Sequence, residues 1–306
     1  MARRIVKIIA GPTASGKTSL AIEMAKKEKA GAVIINADSM QIYDAVPILS
    51  AQPDAQERAA VTHKLYGLLS PSEICDAARW CQLALTEINQ AFEQGVQPIL
   101  VGGTGFYMKA LTNGLSPVPD IPEEDHLKAM ADSHADLPAF YKELQACDPL
   151  IAAKLKPTDK QRICRAVEVF RVTGQPLSYW QDQPNILPDP SLEFEMIIMR
   201  PQRDWLYERI NQRVHIMIEQ GALEEVKVLM AQIENGNVPE HAGVTKAHGF
   251  DVFQQHLQGK VSLEEAIVKT QIDSRQYGKR QDTWFRNQIK SGGLIKKIDY
   301  IDLPAR

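Results

Sequence analysis

With 306 residues the chain is long enough to bury one large core and a second small one, and its 35 Lys and Arg nearly balance 38 Asp and Glu. That balance excludes a global basic charge of the kind that binds nucleic acid, so any such signal must be local. Apolar runs are no longer than strands, and the start at Arg3-Arg4 leads into too short a run for a signal peptide; the expectation is a cytoplasmic protein with no membrane segment.

Arg4-Ile5-Val6-Lys7-Ile8-Ile9-Ala10 is β-branched and apolar, as a buried parallel strand should be. It feeds Gly11-Pro12-Thr13-Ala14-Ser15-Gly16-Lys17-Thr18, which meets the pattern G-x-x-x-x-G-K-[ST], and a helix follows through Leu20, Ile22, Met24 and Ala25. In that context, backbone N–H groups of the loop converge on phosphate oxygens at a helix N-terminus. Lys17 adds a point charge, and the Thr18 hydroxyl can reach Mg²⁺. Something bearing a di- or triphosphate is expected here.

Ala30-Gly31 closes the helix, and Ala32-Val33-Ile34-Ile35-Asn36-Ala37 reads as a second buried strand that delivers Asp38 to the phosphate-binding edge of a parallel sheet. Residues to about Ser72 read as loop. A helix is predicted from about Asp76 to Gln94, with Trp80, Leu83, Ala84, Ile88 and Ala91 on one face. Gln97-Pro98-Ile99-Leu100-Val101 is a third strand running into Gly102-Gly103-Thr104-Gly105, and a short helix carries Tyr107, Met108 and Leu111.

Pro117, Pro119 and Pro122 mark a linker, and Pro184, Pro188 and Pro190 mark a second. The residues between them lack strand runs. They are expected to form an inserted helical domain over 116–190, flanked by an α/β core built from 1–115 and 191–306. Leu192 to Met199 reads as a returning strand, and the next helix, about Asp204 to Glu219, has Leu206, Ile210, Val214 and Met217 on its apolar face. Arg209 and Arg213 share an adjoining face. Beyond Gly221 the chain reads as helical, with a loop near 235–244 and a capping box at Ser262-Leu263-Glu264-Glu265.

Asp38 admits three readings: a Walker-B carboxylate for Mg²⁺, a general base, or a turn-forming residue. Ile99-Leu100-Val101 runs into glycines rather than an acid, so NTP-hydrolysis machinery is poorly supported. Arg162, Arg165 and Arg171 lie on a helix on which charge alone suggests a solvated face. Arg275, Lys279, Arg286 and Lys290 line one side of the last helical segment, a cation stripe suited to a phosphate backbone; helix packing explains the interleaved Tyr277, Trp284 and Phe285 at least as well as base stacking does. Cys75, Cys81, Cys147 and Cys164 have neither C-x-x-C spacing nor paired histidines, so reduced thiols are expected.

Taken together, these motifs resemble those of the bacterial tRNA dimethylallyltransferases. The resemblance runs through Gly11 to Thr18, Asp38-Ser39-Met40-Gln41-Ile42-Tyr43, Val101 to Tyr107, Gln161 to Glu168, Arg209 to Arg213 and Arg275 to Arg286. It implies an α/β, P-loop NTPase-like parallel sheet flanked by helices with an all-helical insertion, and transfer of a dimethylallyl group to N6 of the adenine beside the anticodon. Gly11, Pro12, Thr13, Ala14, Ser15, Gly16, Lys17 and Thr18 would hold the diphosphate of dimethylallyl diphosphate, with Mg²⁺ on Thr18. Lys17 and Arg213 would stabilise the leaving diphosphate, Asp38 would accept the N6 proton, and Thr104 would steady the adenine. Asp38, Ser39, Met40, Gln41, Gln161, Arg162, Ile163, Cys164 and Arg165 would touch the anticodon stem-loop of tRNA, as would Arg275 and Lys279. A monomer is expected.

One stretch departs from the pattern: Val244-Thr245-Lys246-Ala247-His248-Gly249-Phe250 stands where the family carries a hydrophobic-Gly-Tyr motif. The rival readings are an adenylate isopentenyltransferase acting on free adenosine phosphates, a P-loop small-molecule kinase, and a non-catalytic RNA-binding protein. The helical insertion and the cation stripe have no use on a small acceptor, and the intact Lys17, Thr18 and Asp38 weigh against a relic.

Overall fold

The alternation of apolar strand and amphipathic helix expected near the N-terminus is realised as β1 (Arg4–Ala10), α1 (Lys17–Lys27), β2 (Ala32–Asn36), α2 (Ala55–Ala60), β3 (Thr62–Lys64), α3 (Ala77–Glu93), β4 (Gln97–Gly102) and α4 (Gly105–Asn113). The computed structural model describes residues 3–304, so the outermost two residues at each end of the expected core lie outside it. Helices follow over α5 (Glu123–Ala135), α6 (Leu137–Cys147), α7 (Pro149–Ala152), α8 (Lys160–Thr173) and α9 (Leu177–Asp182). The chain then runs through β5 (Leu192–Pro201), α10 (Arg203–Glu219), α11 (Ala222–Glu234), a 3₁₀ turn at Gly243–Lys246, α12 (Phe250–Leu257), α13 (Leu263–Gln288) and β6 (Ile295–Leu303). Two compact units result, one comprising residues up to Thr112 and those from Pro188 onward, the other Asn113–Leu187.

Among the described residues, six strands form one parallel sheet in the order β3-β2-β4-β1-β5-β6, flanked by helices, the P-loop NTPase-like arrangement. Ile8, Ile9, Ile34, Ile35, Ile99 and Leu100 are fully buried in its centre, each worth roughly 1.5–3 kcal/mol of transfer free energy. Register decides where the chemistry falls. Ala10 pairs with Gly102 and Asn36 with Val101, so the segments starting at Gly11, Ala37 and Gly103 leave the sheet at the same carboxyl end. Trp80 on α3, fully buried, donates its indole N–H to Asn36 O at 2.9 Å and stacks on Tyr107 of α4 at 4.8 Å, which fixes both helices against that end.

Two sequence expectations need correcting. The stretch read as loop before Ser72 contains α2, opened by a reciprocal Asp54–Glu57 capping box, and the edge strand β3. The chain beyond Gly221 is not helical throughout, because β6 returns to pair with β5 at the opposite edge of the sheet. Both strands are edges with polar faces, and edge strands lack the continuous apolar run that marks a buried parallel strand.

The second unit has its own core, where Phe140, Leu144, Ile151, Ile163 and Val167 of α6, α7 and α8 meet. Leu115 and Ile186 form an antiparallel bridge between the two ends of this unit. Glu168, 2% exposed, accepts from Arg165 Nη1 and from His126 Nδ1, both at 2.7 Å. Arg171 is forked onto Glu143 with a third bond to Asp132, and lies over the Phe140 ring.

Candidate active site

The loop between β1 and α1 is shaped for an anion. Gly16 caps α1 at φ 89°, a left-handed conformation that favours glycine, and no side chain caps the helix, so its first N–H groups are open to a ligand. Lys17 Nζ folds back to Pro12 O at 2.7 Å. Burial lowers the Lys17 ammonium to about 8; Asp38 opposes that shift and Arg213 adds to it. The Ser15 hydroxyl, 1% exposed, has no hydrogen-bond partner among the described residues.

Helix α10 delivers two guanidinium groups to this loop from one face. Arg213 Nη2 donates to Thr13 Oγ1 at 2.6 Å, and Arg209 Nε donates to Ala14 O at 2.9 Å while lying over Trp205. Burial lowers Arg213 to about 10, with Asp38 opposing and Arg209 reinforcing the shift. Half-buried Lys17 and Arg213 with exposed Arg209 make this loop a site that a polyanion would stabilise.

Asp38 sits in a turn built by Asn36, whose Oδ1 accepts from Asp38 N at 2.8 Å while its Nδ2 donates to Asp38 O and Leu65 O. Asp38 Oδ1 accepts from Met40 N at 3.0 Å, so one oxygen serves the turn, as the structural reading required. The other oxygen, Oδ2, faces the Gly103 turn, 3.3 Å from where a Gly103 Cβ would stand. Thr104 Oγ1 accepts from Ser39 N at 2.9 Å and donates to Ser39 Oγ at 3.2 Å, tying the two loops together. Gln41 spends its amide nitrogen on Ser50 O and Ala51 O, and thereby folds the segment after Asp38.

Helix α13 closes the site. Its stripe Tyr277, Gln281 and Trp284 meets the Gly-rich turn: Gln281 Nε2 donates to Gly103 O at 2.9 Å, Tyr277 lies beside Thr104, and a Cβ on Gly105 would lie 2.1 Å from the Trp284 ring. His248 packs on Tyr277 with ring centroids 4.4 Å apart. Its pKa is lowered by burial first, then by Arg280 and Arg213. The divergent 244–250 stretch therefore reaches the site through an imidazole.

A family model described as IPP transferase matches residues 41–288. The chain belongs to the IPP transferase family. It is 44% identical over 305 residues to the tRNA dimethylallyltransferase of Rhodospirillum centenum, covering 99% of this chain and 95% of that one. Over 290 residues it is 41% identical to the enzyme of the same name from Cereibacter sphaeroides, covering 94% and 95%. Among solved structures it resembles the full-length tRNA isopentenylpyrophosphate transferase of Bacillus halodurans, with TM-score 0.66, 32% identity and 98% and 90% coverage. A eukaryotic dimethylallyltransferase acting on tRNA aligns with TM-score 0.77 and 29% identity, covering 97% of this chain and 74% of that one.

Not every expected contact residue of this IPP transferase is free to make one. Ile163 and Cys164 turn into the core of the second unit and Arg165 is engaged by buried Glu168, which leaves Gln161 and Arg162 exposed on α8. The stripe on α13 also shrinks: Arg275 is bound to Asn211 at 2.7 Å and lies over Tyr207, Arg286 pairs with Asp282, and Lys290 lies beyond the helix end. Lys279 and Arg280 remain exposed, beside a groove of about 520 Å³ that includes Thr283, Trp284 and Asn287. Among the described residues no three His, Cys, Asp or Glu gather as a metal site. That donor set, with the Thr18 hydroxyl in the loop and an unpartnered Ser15 hydroxyl beside it, fits a hard cation held largely by a bound diphosphate. Asn36, Gln281 and His248 were not given a role from sequence, and Tyr277 was marked only as an aromatic interleaved with the cations of α13; the spacing of 277, 281 and 284 on one helical face is the signal that links them.

Proposed function

We propose that this IPP transferase moves a dimethylallyl group from dimethylallyl diphosphate to N6 of the adenine beside the anticodon of tRNA, acting as a cytoplasmic monomer. The allylic C–O bond breaks with its electron pair leaving on the diphosphate, the N6–C bond forms, and the N6 proton passes to Asp38. The observation that carries the reading is geometric. Ala10 pairs with Gly102 and Asn36 with Val101, so Asp38 and the loop from Gly11 to Thr18 leave the sheet at one end, and Gln281 bonds both Thr13 N and the O of Gly103, whose turn Asp38 Oδ2 faces.

Lys17 and Arg213 act on charge that grows as the diphosphate departs, the kind of preorganised stabilisation that raises kcat rather than affinity. The uncapped α1 N-terminus adds N–H donors to the same oxygens. Thr18 would hold Mg²⁺, which when bound neutralises part of the leaving group's charge. Asp38 keeps Oδ2 clear of the turn, so the carboxylate accepts a proton without losing its anchor. Thr104, fixed by Ser39, steadies the adenine, which must be turned out of the loop stack to reach Asp38.

Arg162, exposed on α8, and Lys279 on α13 favour a polyanionic acceptor over free adenosine phosphates. Mass spectrometry of nucleosides from tRNA incubated with the enzyme, dimethylallyl diphosphate and Mg²⁺ tests the reading. One prenyl unit gained on adenosine is expected. Prenylation of free adenosine monophosphate but not tRNA would favour the adenylate rival, and ATP consumption the kinase.

A further inference from the structure

Gln281 is 5% exposed, and both ends of its carboxamide are spent on backbone. Its Oε1 accepts from Thr13 N at 2.8 Å and its Nε2 donates to Gly103 O at 2.9 Å. A peptide N–H only donates and a carbonyl only accepts, so the side chain fits in one orientation. Its two partners leave different strands, Thr13 from β1 and Gly103 from β4. A Cβ on Gly103 would lie 2.2 Å from Gln281 Nε2, so the turn is shaped around this amide. Tyr277, one helical turn earlier, lies beside Gln281 and Thr104, and Arg213 holds Thr13 from the other side.

We propose that Gln281 is a positioning residue that sets the separation between the diphosphate loop and the acceptor turn, and so aligns the allylic carbon with the adenine amine. This rests on the function proposed above. Displacements of about 1 Å at a reacting centre cost roughly 10²-fold in rate, and a strut bonded to both halves of the site acts on that distance. It also takes the Thr13 N–H, as Pro12 O takes that of Ser15, so these two are not offered to phosphate, whereas the uncapped start of α1 is.

Gln281→Met keeps length and volume but neither hydrogen bond. Single-turnover transfer at saturating tRNA and dimethylallyl diphosphate, with Kd for tRNA and for inorganic pyrophosphate, separates the roles. The rate is expected to fall by about 10²-fold while both dissociation constants stay within about threefold. An unchanged rate overturns the proposal. So does a loss confined to tRNA affinity, which makes Gln281 an RNA contact, or one that vanishes on cooling together with a lowered Tm, which makes it merely structural. If Gln281→Met does not fold, Gln281→Glu, which keeps the acceptor for Thr13 and loses the donor to Gly103, is expected to show the same split. A wild-type enzyme that transfers no prenyl group fails the underlying reading instead, and the strut falls with it.

Discussion

Arg213 Nη2 lies 2.6 Å from Thr13 Oγ1, so a guanidinium from the middle of α10 closes a loop that lies 200 residues earlier in the chain. The pairing puts a half-buried cation where a departing diphosphate gains charge. Arg213→Ala is therefore expected to lower kcat/KM by roughly 10²-fold or more. Filter binding of tRNA should show an affinity close to wild type. Unimpaired turnover would remove Arg213 from the leaving-group site.

Lys17 makes donor binding pH-dependent. Burial holds its ammonium at about 8 in the free enzyme, so the charge fades as pH rises through that value. A bound diphosphate restores it, and binding at about pH 8.5 should therefore take up a proton. Calorimetry with inorganic pyrophosphate in buffers of different ionisation enthalpy measures that uptake, and Lys17→Ala should abolish Lys17's share. The same shift acts on stability. The unfolded chain binds this proton more tightly, so Lys17's contribution rises with pH between about 8 and 10.5 and is lost as pH falls through 8.

The exposed cations differ from the engaged one. Arg162→Ala or Lys279→Ala should reduce the slope of log K for tRNA against log salt by up to roughly 0.7–0.9, one neutralised phosphate each. Arg275→Ala should leave the slope unchanged and lower Tm, because its guanidinium is spent on Asn211 and Tyr207. Equal slopes for all three would return α8 and α13 to the status of solvated faces.

Gly105 lies directly under the Trp284 ring. A methyl group there would meet ring carbons at 2.1 Å, so Gly105→Ala should force α13 away from the turn and cost about 1–3 kcal/mol by overpacking. Urea denaturation reads the loss as a lower midpoint at unchanged m-value.

How much of this was legible in the sequence follows from where each signal lives. Strands β2 and β4 announce themselves through Val33-Ile34-Ile35 and Ile99-Leu100-Val101, because runs buried on both faces need no alternation, and β1 and β5 through the apolar runs Ile8-Ile9-Ala10 and Met196-Ile197-Ile198, although burial in β5 alternates. Strand β6 hides: Ile295, Ile298 and Ile301 recur every third residue with Lys296, Lys297 and Asp299 between them, which matches neither strand nor helix period. The anion loop is local in sequence and was readable. The Gln281 bonds to Thr13 and Gly103, and the His248 packing on Tyr277, join residues that only the tertiary fold brings together. Charge spacing on α13 likewise says nothing about which cations a neighbouring helix has already engaged.

The central claim is that Asp38 accepts the acceptor's proton while the loop from Gly11 to Thr18 holds the leaving group. Single-turnover prenyl transfer by Asp38→Asn, with Mg²⁺-dependent pyrophosphate affinity measured on the same protein, tests it most directly. The account predicts a rate lowered by roughly 10²- to 10⁴-fold with pyrophosphate affinity retained. A variant that loses Mg²⁺-dependent pyrophosphate binding, yet transfers at the wild-type rate once donor is saturating, would contradict it and make Asp38 a metal ligand.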